Sequence, residues 1–176
     1  MKYWIKIKTI EYDRIIDPMS IGIVSEDDRN YYAINYDCSF SKSDKYTQDN
    51  ILAYFPFKPI HPKSEYGQSG EFLNTGVWRR IHAIGKDVLN FIDDDDHPVF
   101  WTWCGAYDWV ALCHLLGGRL KMPANFPSNP NDLKQEYDRL GNPELKEYNS
   151  TGGSALDEAK WCKFVYNQLQ SLNGNI

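Results

Sequence analysis

The stretch Val99–Gly118, VFWTWCGAYDWVALCHLLGG, constrains the fold more than any other. It opens as a short apolar run with two tryptophans, turns at Cys104-Gly105, and continues as an apolar helix to Gly117-Gly118. Such a pattern predicts a buried strand feeding directly into a buried helix. The only Asp, Glu, Lys or Arg within it is Asp108, one turn into that helix. A carboxylate in so apolar a setting must be paired, protonated or bound to a metal. The plainer alternative is an Asp held near a helix N-terminus by the macrodipole.

The rest of the chain supplies a sheet and helices around this unit. Tyr3–Ile10 (YWIKIKTI) alternates and predicts a strand, with Trp4, Lys6, Lys8 and Ile10 on one face and Tyr3, Ile5, Ile7 and Thr9 on the other. Glu11–Pro18 reads as a polar connection, Met19–Ser25 as a second strand, Glu26–Asn30 as a turn and Tyr31–Tyr36 as a third strand. Together they predict an antiparallel meander. Thr47–Tyr54 reads as a short helix, Ile60–Gly70 as a loop, and Asn74–Ile92 as a helix with Arg79, Arg80, Lys86 and Asp87 turned outward. After the helix of Asp108 come a proline-containing loop over Arg119–Asn131, a polar helix over Asp132–Leu140, a loop over Asn142–Gly153 and a closing helix over Ala155–Leu169. The order predicts an α/β fold of ribonuclease H type: a mixed sheet, three antiparallel strands plus a parallel one, flanked by helices.

Composition narrows the class. At 176 residues the chain is read as one domain, 1–176, long enough to bury a core. A net charge of −5 excludes a global basic field, so any nucleic-acid contact must be local. The cysteines show no CxxC spacing, and Cys104, Cys113 and Cys162 fall in apolar segments, which reads as reduced core thiols in a cytoplasmic protein. No apolar run reaches membrane-spanning length, and the N-terminus carries no signal-like apolar segment.

Three segments carry a resemblance: SIGIVSEDDRNYYAINYD (Ser20–Asp37), WTWCGAYDWVALCHLLG (Trp101–Gly117) and FPSNPNDLKQ (Phe126–Gln135). They resemble the DnaQ-like DEDDh 3′→5′ exonucleases, and within them the small mycobacterial-type exoribonucleases. The resemblance runs over nearly the whole chain and is weakest over Ser39–Phe72. It implies an Asp-x-Glu pair on the first strand, an Asp on a middle helix, and a His-x4-Asp at the last helix, which together hold two Mg²⁺ or Mn²⁺ ions. Two hard cations roughly 3.5–4 Å apart need carboxylate oxygens around them to stabilise the attacking and leaving oxygens. The histidine serves as general base, and a strand supplies Asp-x-Glu because residues two apart share a face.

Position by position, most of that pattern is replaced here. Asp108 matches the middle aspartate. The Asp-x-Glu positions, counted without a gap from Ser20-Ile21-Gly22, are Lys6 and Lys8. In GGSALDEA the histidine position is Gly153, and the final aspartate position is Glu158. Exchanging two carboxylates for two ammonium groups changes the local formal charge by about four units. The resemblance with these substitutions implies a scaffold that has lost two-metal catalysis, has no resident metal, and acts by binding RNA, another single-stranded nucleic acid or a protein partner. Family analogy adds a homodimer as an expectation. The rival reading is an active, Mg²⁺- or Mn²⁺-dependent 3′→5′ exoribonuclease using Asp108, Glu158 and displaced acids such as Glu11 and Asp13.

Two readings of the lysines stand side by side: pairing with Asp108 and Glu158 where metals would lie, or solvation on an edge strand. Asp157 stands three residues after Ser154, which predicts a capping box. Glu158 shares a helical face with Ala155, Ala159 and Cys162 and is expected to point inward. Arg79 and Arg80 are weak candidates for a phosphate backbone, with a solvated face the plainer reading. Tyr31, Tyr54, Phe55 and Phe57 are candidates for base stacking or for a partner surface. His61, His82, His97 and His114 have no ligand-like spacing.

Overall fold

The computed structural model describes residues 1–56, 76–92, 95–149 and 153–173. The loop expected over Ile60–Gly70, Phe57 and His61 lie outside them. Among the described residues six strands form one mixed sheet. In chain order the elements are β1 (Lys2–Tyr12), β2 (Ile15–Ser25), β3 (Asn30–Asn35), α1 (Lys45–Asn50), β4 (Trp78–Arg79), α2 (Ile81–Ile92), β5 (Val99–Thr102), α3 (Ala106–Leu115), β6 (Asn131–Asp132), α4 (Leu133–Arg139) and α5 (Ala155–Asn173). The sheet order is β4-β3-β2-β1-β5-β6. The three-strand meander is antiparallel, and β4, β5 and β6 join in parallel. This is the ribonuclease H-like α/β architecture that the pattern predicts.

Alternation on β1 sorts the layers. Tyr3, Ile5 and Ile7 pack with Ile21, Ile23 and Ala33 against Ile84 and Val88 of α2 and Leu112 of α3. On the opposite face Trp4 packs with Cys162, Val165 and Leu169 of α5. Gly22 of β2 lies beneath the start of α5, where an added Cβ would sit 2.3 Å from the Leu156 nitrogen. Only glycine lets this helix approach so closely.

Several boundaries differ from the sequence reading for identifiable reasons. Glu11–Pro18 is not a polar connection: β1 and β2 continue into a tight hairpin with Asp13 and Arg14 at φ 46° and 67°. Such a turn normally advertises itself through Asn-Gly or Gly, and neither is present. A bulge between Lys8 and Thr9 also interrupts the alternation expected to run to Ile10. The helix expected from Asn74 begins only at Ile81, because Trp78 and Arg79 pair with Ile34 and Asn35 as β4. Asn131 and Asp132 form β6 against Trp101 and Thr102, and Asp132 then caps α4 by accepting from the Lys134 amide at 2.8 Å. The short helix expected over Thr47–Tyr54 divides into α1 and a 3₁₀ turn at Leu52–Tyr54. Cys104, read as a core thiol, is exposed at the β5–α3 turn with φ 55°, whereas Cys38, Cys113 and Cys162 are buried.

Candidate functional site

The site lies where β1 and β5 part. Parallel pairing between them covers Lys2–Trp4 with Val99–Trp101 and goes no further. Beyond it the β1 backbone needs another partner, since a buried amide cannot be left without one. Asp108 supplies it: its Oδ1 accepts from the Ile7 amide at 2.7 Å. Its Oδ2 accepts from Thr102 Oγ1 at 2.6 Å and from Lys6 Nζ at 2.7 Å. Asp108 is 2% exposed, and both of its oxygens are engaged.

The turn that delivers Asp108 is itself anchored. Asp132 accepts from the Cys104 amide at 3.1 Å and from the Gly105 amide at 2.9 Å, which fixes the start of α3. Gly105 is required there, because an added Cβ would fall 2.1 Å from Thr102 Cγ2.

Lys6 reaches Asp108 from the face shared with Trp4 and Lys8, and also donates to the Trp103 carbonyl at 3.1 Å. Burial works against its ammonium, but the charge and hydrogen bond of Asp108 outweigh burial and hold its pKa above the ordinary lysine value. One residue pair further along, Lys8 Nζ donates to Glu158 Oε1 of α5. Here the carboxylate is more open: the Glu158 side chain is 38% exposed against 3% for Asp108. The side chains of Lys6 and Lys8 are each only 17% exposed and each ammonium lies on a carboxylate, so the pairing reading replaces the solvated one.

Glu158 follows a capping box in which the Asp157 amide donates to Ser154 Oγ at 3.1 Å and Ser154 Oγ donates to Asp157 Oδ2 at 2.6 Å. On the same helix Cys162 is fully buried beside Lys6 and Asp108, and burial pushes its thiol up to about 12. The Cβ position of Gly153 has nothing within 4 Å among the described residues. A cavity of about 300 Å³ opens beside these groups, lined by Lys6, Trp103, Glu158 and Trp161. The Trp103 and Trp161 rings meet edge to face, with centroids 4.9 Å apart.

The remaining candidates lie elsewhere. Glu11 and Asp13 are exposed at the β1–β2 hairpin, and Glu11 borders a separate cavity with Lys42 and Asp44. The displaced acids that the rival reading requires are therefore not gathered around Asp108. Arg79 sits on β4 rather than on a helix, with its Nε 3.6 Å from Asp87 Oδ2, and Arg80 pairs with Asp37 at 2.9 Å. Tyr31 is half-buried and donates to Asp87, and Phe55 packs on Phe40 and Trp78, whereas Tyr54 is exposed. His114 Nδ1 lies 3.1 Å from the Ile16 carbonyl. Sequence reasoning missed Thr102, Trp161 and Asp132 as parts of the site. Their roles depend on neighbours remote in sequence, and only the Trp-x-Trp spacing around Thr102 gave any signal.

The donor set does not suit a pair of divalent cations. Asp108 has its two oxygens filled by an amide, a hydroxyl and an ammonium, and the other wall presents ammonium groups instead of carboxylates. Among the described residues no three His, Cys, Asp or Glu side chains gather into a group that would hold a metal ion. Nor, among them, is any helix long and apolar enough to cross a membrane.

The scaffold is a ribonuclease H-like sheet with a buried aspartate on the helix that follows β5. Comparison with known proteins gives the particular branch. Over 147 residues, 82% of this chain and 79% of the relative, it is 31% identical to a 3′-5′ exoribonuclease of Mycobacterium tuberculosis strain H37Rv. It shows the same identity and coverage to the 3′-5′ exoribonuclease of strain CDC 1551. The chain belongs to this mycobacterial-type 3′-5′ exoribonuclease family of DEDDh exonucleases. No protein-family profile matches the chain.

Proposed function

We propose that this protein is an RNA-binding member of the exoribonuclease family that has exchanged two-metal hydrolysis for metal-independent recognition of RNA. The observation that carries the reading is the pair of contacts Lys6–Asp108 and Lys8–Glu158. At the positions that should form the metal-binding wall, ammonium groups lie on the carboxylates that remain. A divalent cation entering beside Asp108 would have to displace Lys6 and then face two like charges, in a setting where unscreened repulsion is large. Gly153, at the position that the resemblance assigns to the base, carries no side chain that could accept a proton. Kinship with 3′-5′ exoribonucleases, together with two tryptophans in an open cavity lined by Lys6, Trp103, Glu158 and Trp161, supports RNA as the partner.

The test runs binding and cleavage side by side on one labelled single-stranded RNA. Wild type is expected to bind it equally with Mn²⁺ or with EDTA and to leave it intact. The Lys6→Asp/Lys8→Glu/Gly153→His variant is expected to regain Mn²⁺-dependent trimming that a further Asp108→Ala change abolishes. Trimming by the wild type that Asp108→Ala removes would overturn the loss of catalysis, and absence of RNA binding would overturn the choice of partner.

A further inference from the structure

The two ion pairs of the site are not equivalent. Asp108 is 3% exposed at its side chain and holds three donors, one of them the Ile7 backbone. It is bound into the sheet and cannot leave. Glu158 is 38% exposed, and among the described residues its side chain has one polar partner, Lys8. It borders the open cavity beside Lys6, Trp103 and Trp161.

Counting donors sharpens the contrast. A lysine ammonium has three N–H donors. Lys6 directs two of them to Asp108 and the Trp103 carbonyl, which leaves one. Among the described residues Lys8 directs one to Glu158, which leaves two. A wall built to hold metals presents acceptors to whatever enters. This wall presents surplus donors, and its one exposed acceptor is a carboxylate that can swing out.

We propose that the Lys6–Lys8 wall is a binding site for a phosphate monoester attached to a nucleoside, with Glu158 as the resident counterion that the phosphate displaces from Lys8. The incoming phosphate oxygens take the surplus N–H donors, and the nucleobase lies against Trp103 and Trp161. The phosphate takes over as the counterion of Lys8, and the released Glu158 carboxylate, already 38% exposed, turns to water rather than being stranded in the interior. Asp108 stays in place and holds Lys6 in position. Binding needs no covalent step and no metal.

The proposal rests on the RNA-binding reading in making an RNA end with a terminal 3′-phosphate the natural ligand. A free nucleotide carries the same chemistry, so both are probed. Calorimetric titrations use adenosine 3′-monophosphate, adenosine, and one short single-stranded RNA bearing either a 3′-phosphate or a 3′-hydroxyl, all in EDTA. The expected result is that adenosine 3′-monophosphate binds at least tenfold tighter than adenosine, and the 3′-phosphorylated RNA at least fivefold tighter than its 3′-hydroxyl twin. Glu158→Gln should tighten both phosphorylated ligands several-fold by removing the competing charge, and Lys8→Met should weaken them at least tenfold.

Equal affinity for phosphorylated and hydroxyl ends overturns the proposal while RNA binding stands. Nucleotide binding that obeys the variants, without any RNA binding, overturns the RNA reading and keeps the phosphate site. Weaker binding by Glu158→Gln, in a variant whose melting temperature matches wild type, rejects Glu158 as a displaceable counterion.

Discussion

Removing the Lys6 ammonium while keeping its stem, as in Lys6→Met, tests the centre of the argument. The wild-type ammonium lies 2.7 Å from a carboxylate that is itself almost wholly buried. Deleting one partner of such a pair strands the other charge and typically costs about 3–5 kcal/mol. Asp108 keeps the Ile7 amide and the Thr102 hydroxyl, so the lower end, about 3 kcal/mol, is expected here. For a chain of this length that lowers the melting temperature by roughly 6–12 °C.

Urea unfolding of four proteins completes a double-mutant cycle: wild type, Lys6→Met, Asp108→Asn and the double variant. In the double variant the amide at 108 still accepts from Ile7 and offers its NH₂ to Thr102, and no buried charge remains. It should therefore recover about 1–2 kcal/mol relative to additivity, in the range found for contacting pairs. A cost below about 1 kcal/mol for Lys6→Met, or strict additivity in the cycle, would refute a desolvated ion pair, since that is the range of exposed pairs.

Gly22→Ala should destabilise the protein by about 1–3 kcal/mol, the usual range for overpacking, because the new methyl meets the Ala155–Leu156 backbone rather than a movable side chain; chemical denaturation reads this directly. Mn²⁺ or Mg²⁺ at millimolar concentration should leave the melting temperature unchanged, whereas a native-state ligand at 100 times its Kd would add about 2.7 kcal/mol. Stability should fall above pH 9. The Cys162 thiol is held neutral to about 12 in the fold but ionises near its ordinary value once unfolded, so the unfolded state binds fewer protons in that window. The raised Lys6 pKa acts later and in the same direction, its contribution being lost as pH passes above the ordinary lysine value. Cys162→Ala should flatten the alkaline decline between pH 9 and 10.5, as read by urea midpoints.

The elements that the sequence announced are those whose signal is local. A lone carboxylate within an apolar strand–helix stretch marked Asp108, alternation put Lys6 and Lys8 on one face, and Ser154 with Asp157 declared the start of α5. What stayed hidden depends on neighbours remote in sequence. Two residues have no periodicity, so Trp78–Arg79 and Asn131–Asp132 become strands only because Ile34, Asn35, Trp101 and Thr102 lie alongside. Whether β1 sat at an edge turned on β5, which is distant in the chain and pairs over a short length. The opening at the site had the same origin: Trp103 and Trp161 converge through packing between β5 and α5, which no spacing rule foretells.

The retention of the acids needs explaining, because a buried ion pair replaced by well-packed apolar residues is often neutral or stabilising. For Asp108 the reason is in the sheet. It closes the Ile7 amide that β5 leaves open, so an acceptor must stay there, and while that acceptor is a carboxylate Lys6 balances its charge. No such reason holds for Glu158, whose side chain makes no backbone hydrogen bond among the described residues and is 38% exposed. An exposed pair contributes about 0–1 kcal/mol. Asp108→Ala should therefore cost several kcal/mol by stranding both the Ile7 amide and the Lys6 ammonium, whereas Glu158→Gln should shift stability by under about 1 kcal/mol. Thermal and urea unfolding of the two variants decide the matter. If Glu158→Gln is as damaging as Asp108→Ala, Glu158 is a structural lock like its neighbour, and the displaceable counterion has to be given up.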